Sequence, residues 1–151
     1  MKRKDFHHVL TMATITILFV SAPANALDHE KLYSSCAKFD GPTWLCYSQK
    51  LDSAESDLNR MRSQAIDAIA GTDFIPRKAR SSFISTFKGG EHAFDKARGM
   101  LCGKLAEFYA YGAMSGTAQS VQSVTCHLQM IEGRVTNLSE WYGVKSEFQM
   151  Y

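Results

Sequence analysis

The sequence predicts an all-α fold, an antiparallel three-helix bundle with a short N-terminal arm and two disulfides. Three observations carry this expectation. Apolar residues recur at alternating steps of three and four along three long segments. Short stretches containing Pro or Gly separate those segments, and all four cysteines fall where such helices or their arm would be fastened. Two short connections between long rods make sequential helices antiparallel neighbours.

Taken in order, the chain opens with Lys2, Arg3 and Lys4, an apolar stretch from Val9 to Val20, and Ala24-Asn25-Ala26. A basic start, a short apolar run and an A-x-A site form the pattern of a cleavable secretory signal. The run falls short of the roughly 20 residues that cross a bilayer, and Leu27 stands where a lipoprotein signal carries cysteine. The expectation is therefore a leader over 1–26 and one domain over 27–151, periplasmic or secreted, with no membrane anchor after cleavage. After Ala26 the chain has 14 Lys and Arg against 14 Asp and Glu, so the formal charge of +2 belongs to the leader. A neutral domain lacks the positive footprint that nucleic acid or anionic lipid requires.

The arm spans about Leu27 to Phe39. Pro42-Thr43 opens the first long helix, expected over 43–70, with the stripe Trp44, Tyr47, Leu51, Ala54, Leu58, Met61, Ala65 and Ala68. Gly71-Thr72-Asp73 closes it, and Pro76 begins the second, expected over 77–110. Its stripe reads Phe83, Phe87, Gly90, Phe94, Ala97, Leu101, Leu105 and Phe108. Gly89 and Gly90 predict a kink or local break there, and Gly90 on the seam a close helix approach. Gly112 to Thr117 separates it from the third helix, expected over 118–142, with Val121, Val124, Leu128, Ile131, Val135, Leu138 and Tyr142. Trp141 and Tyr142 complete the core, while Phe148 and Tyr151 either pack back on the first long helix or form a partner-facing patch.

Four cysteines in an exported domain read as two disulfides. Cys102 and Cys126 are each twelve residues from Met114, the middle of the second hairpin, which sets them at one height and favours pairing between them. Cys36 would then join Cys46 and pin the arm. The first hairpin turns near residue 73 and brings Cys46 level with Cys102, so the swapped pairings stay open.

Several side chains have functional readings. Arg98 and Arg134 lie at comparable heights on the second hairpin, either as a basic pair for a partner's acidic cleft or in interhelical ion pairs with Asp95 or Glu132. Glu91, His92 and Asp95 share one helical turn, but no second cluster completes a metal set, and a solvated face is expected. Ser115, Thr117, Ser120 and Ser123 have no lysine or Gly-rich strand-to-helix context for phosphate, and His127 is a poor base for any of them; Ser115 or Thr117 fits as a helix cap. No nucleophile with its base, metal set or cofactor loop is legible, so neither an enzyme nor a cofactor is expected.

The order of these features resembles the LprI-like lysozyme inhibitors, a family of exported bacterial domains. The resemblance rests on CAKFDGPTWLC leading into YSQKLDSAESDLNRM, on HAFDKARGMLC with Phe94, Arg98 and Cys102, and on GAMSGTAQSVQSVTCHLQMIEGRVTNL with Cys126 and Arg134. It covers the chain from Cys36 to Leu138. It implies a soluble periplasmic protein that binds the lysozyme active-site cleft. The candidate contacts are then Met114, Ser115, Gly116 and Thr117 at the longer hairpin tip, with Arg98 and Arg134. The alternative is an immunity protein or envelope interaction protein that neutralises another secreted cell-wall or membrane effector.

Overall fold

The computed structural model describes residues 29–111 and 117–148. The expected leader, Met114 to Gly116 and Tyr151 lie outside them. Among the described residues the fold is all-α: α1 (His29–Ala37), α2 (Thr43–Gly71), α3 (Arg77–Ala110) and α4 (Thr117–Tyr142), with no strand. The three long helices begin and end within about a residue of their expected bounds. No helix among the described residues is long and apolar enough to cross a membrane.

The expected arm is itself a helix. Leu32 and Cys36, one turn apart, are both buried against α2, and two apolar positions are too few to stand out as a stripe. Cys36 is joined to Cys46, with α-carbons 5.5 Å apart. The turn between α1 and α2 requires glycine at position 41, where φ is +152° and a β-carbon would lie 2.9 Å from the Phe39 ring.

α2 and α4 supply most of the core. Ala54, Leu58, Met61, Ala65 and Ile69 face Leu128, Ile131 and Leu138, and each fully buried leucine contributes about 2 kcal/mol of apolar transfer. α3 packs more on α4 than on α2. Cys102–Cys126, Glu91–Arg134 and the edge-on pair Phe87–Tyr142 show residue numbers rising along α4 as they fall along α3.

The stripe expected on α3 holds at Phe87, Phe94, Ala97 and Leu105 and fails at its other positions. Phe83, Leu101 and Phe108 are exposed, whereas Phe87, Glu91 and Cys102 are buried and Ile84 and Phe94 partly so. The inward line runs through a carboxylate, which an apolar count skips in favour of the neighbouring Gly90. Gly90 is exposed, and a β-carbon there would meet nothing within 4 Å, so it serves no close approach. The expected local break is absent as well, since α3 continues unbroken through Gly89 and Gly90. Trp44 and Trp141 lie exposed outside the core.

After α4, Gly143 adopts φ +66° and its N–H donates to the Ser139 carbonyl, a left-handed helix stop. The chain then folds back, burying Val144 and packing Phe148 against the core.

Candidate functional site

Where α3 turns its carboxylates inward, a charged cluster replaces apolar packing. α2 places Glu55 and Arg62 two turns apart, α3 places Glu91, Asp95 and Arg98 on successive turns, and α4 contributes Arg134. Glu91 accepts from Arg62 Nε at 2.7 Å and from Arg134 Nε at 2.9 Å, and Arg134 Nη2 also donates to it. Arg62 reaches Asp95 through both terminal nitrogens, at 2.8 and 3.0 Å. Arg98 donates to Glu55 at 2.8 Å. Three guanidiniums thus meet three carboxylates, and side-chain exposure is only 8% at Glu91 and 12–15% at the arginines.

Aromatic faces complete the enclosure. The Arg62 guanidinium lies 5.9 Å from the centre of the Phe94 ring, and that of Arg134 lies 5.6 Å from Trp141. His127 sits near Arg98 and Glu55. Burial pushes its imidazole pKa down, and the Arg98 charge pushes it further, outweighing Glu55. Its Nδ1 and the Nε of Arg98 are buried without a hydrogen-bond partner among the described residues. A groove of about 400 Å³ runs beside the cluster between α3 and α4, lined by Gly90, Phe94, Met130, Gly133, Arg134 and Asn137.

These positions revise the expectations for individual residues. Arg98 and Arg134 do not project outward. They are held in interhelical ion pairs, with Glu55 and Glu91 as the main partners. Asp95 is a weaker contact of Arg98, at 3.8 Å. The face expected to be solvated at Glu91, His92 and Asp95 is divided: His92 is exposed, Asp95 half-buried and Glu91 buried. Among the described residues no group of three or more His, Cys, Asp or Glu could hold a metal ion. Ser120 is exposed, Ser123 donates to the Cys102 carbonyl at 3.5 Å, and Thr117 is the first residue of α4.

Besides Glu55 and Arg62 of the cluster, two more residues that matter were missed from the sequence. Asp57 is buried on α2 and accepts from Ser146 Oγ at 2.6 Å, from the Glu147 N–H at 3.1 Å and from Arg60. Arg60 also donates to the Lys145 carbonyl at 2.8 Å, so the pair fastens the C-terminal segment to α2. Burial alone would raise the Asp57 pKa, but together the bonds from Ser146, Arg60 and Glu147 hold it below the ordinary aspartate value. The available signal was its place between Ala54 and Leu58 on a core-facing stripe. The other is Phe74, between α2 and α3, which is 89% exposed. At the far end of α3, Tyr111 is 93% exposed.

No family model matches this chain, and neither the curated proteins nor the solved structures gave a match.

Proposed function

We propose that the protein is a periplasmic or secreted inhibitor that binds a lysozyme-type muramidase at its active-site cleft and has no catalytic activity of its own. On this reading residues 27–151 form an antiparallel three-helix bundle, freed from a leader over 1–26 and braced by its disulfides and charged cluster. The observation that carries it is the placing of the two most exposed large apolar side chains among the described residues, Phe74 and Tyr111, beside the two connections between the long helices. Aromatic side chains presented by a rigid frame are the usual energetic anchors of protein interfaces, because little freedom remains to be lost on binding.

The internal charges support the same reading. Arg62, Arg98 and Arg134 are engaged by carboxylates within the chain, which leaves the ends of the helices as the protruding elements. A muramidase cleft works with two carboxylates in an open groove, a shape that a hairpin tip can occupy. The target class comes from the resemblance to the LprI-like inhibitors. Loss of turbidity of a peptidoglycan suspension with lysozyme tests it: micromolar protein is expected to slow lysis, and lysis at the uninhibited rate contradicts the proposal.

A further inference from the structure

We propose that the turn between α2 and α3 is the element that enters the hydrolase cleft, with Phe74 on a sugar-stacking surface and Arg77 and Lys78 facing the carboxylate pair. This rests on the inhibitor reading above and assigns its contact to a specific end of the molecule.

The turn is short and held from both sides. Residues 72–76 alone separate the helices. Thr72 Oγ1 donates to the Ala68 carbonyl at 2.7 Å, and the Ala79 N–H donates to the Pro76 carbonyl at 2.7 Å. Arg80 straddles the turn, donating from Nε to the Ile75 carbonyl at 3.0 Å and from Nη1 to the Ala70 carbonyl at 2.8 Å. Phe74 therefore stands in water on a fixed backbone, and a ring so placed loses little conformational freedom when a partner covers it.

Charge distinguishes this end from the other. Arg77 and Lys78 are exposed on the first turn of α3, and neither forms an ion pair with any described residue. Arg60, Arg62, Arg98 and Arg134 all do. The second tip has an exposed aromatic in Tyr111 but no charge from 111 to 120. Lys104, two turns before Tyr111, is engaged by Glu107 at 2.6 Å. Asp73, beside Phe74, is fully exposed and lies 3.8 Å from Arg80, so this end stays net positive with Arg77 and Lys78. A cleft with two carboxylates selects the tip that joins an aromatic ring to unpaired cations.

The test compares lysozyme inhibition by the wild-type protein, Phe74→Ala, the double reversal Arg77→Glu with Lys78→Glu, and Tyr111→Ala, with thermal unfolding confirming that each is folded. Phe74→Ala is expected to raise the half-inhibitory concentration about tenfold or more, and the charge reversal further, while Tyr111→Ala changes it less than about threefold. Inhibition unchanged in the first two variants overturns the assignment and leaves the inhibitor reading standing. A wild-type protein that does not inhibit overturns both. Binding to vesicles of phosphatidylglycerol that the same variants abolish while inhibition persists overturns it in favour of a lipid surface. A dimer lost in Phe74→Ala while inhibition persists overturns it in favour of a second copy.

Discussion

Glu91 is the residue on which α2, α3 and α4 converge, because one carboxylate serves guanidiniums from both flanking helices. Removing a single partner from a nearly buried pair strands the charges that remain, at a cost of about 3 kcal/mol. Glu91→Gln is expected to lower the unfolding free energy by that order in urea titrations at neutral pH. The exposed pair Lys104–Glu107 gives the contrast, with Glu107→Gln changing stability by less than about 1 kcal/mol. Asp57 acts through pH. Its pKa is lower folded than unfolded, where aspartate titrates near about 3.9. Its stabilising contribution is therefore complete above that value and is lost as pH falls through the folded pKa. Below about pH 4, wild-type stability is expected to fall more steeply than that of Asp57→Asn, as read by unfolding at a series of pH values.

At the scale of the elements, the periodicity of the sequence was enough to place α2, α3 and α4, since their apolar steps and their Pro and Gly boundaries agree. It was not enough to orient α3. Its inward line passes through Glu91, half-buried Asp95 and Arg98 as well as Phe87 and Cys102, and a polar residue on the inner face cannot be told from an exposed one until its partners on other helices are known. The same limit hid the role of Arg62 and gave Arg98 and Arg134 a double reading. α1 was illegible for another reason, as its burial depends on one leucine and one disulfide. The glycines within α3 and the one that stops α4 divide by sign. Gly89→Ala and Gly90→Ala meet open space within an unbroken helix and are expected to stabilise by about 0.5–1 kcal/mol each. Gly143→Ala meets open space too, but φ of +66° makes it destabilising by about 1 kcal/mol. Thermal unfolding of the three variants separates the two classes.

For the whole molecule, the disulfides and the charged cluster fix complementary parts of the frame. Cys36–Cys46 ties α1 to α2, Cys102–Cys126 ties α3 to α4, and the cluster joins α2 to both. Closing the loop between Cys102 and Cys126 contributes about 3.5 kcal/mol on the chain-entropy estimate. Replacing both cysteines by alanine is expected to lower the unfolding free energy by that order in denaturant titrations. A frame braced in this way is suited to presenting a short turn without deforming, which is what cleft inhibition demands. The most direct test is a titration of lysozyme with the protein, followed by calorimetry with and without an oligosaccharide that fills the cleft. The account predicts one-to-one binding that the oligosaccharide displaces. Binding unaffected by the oligosaccharide, or no binding at all, contradicts it.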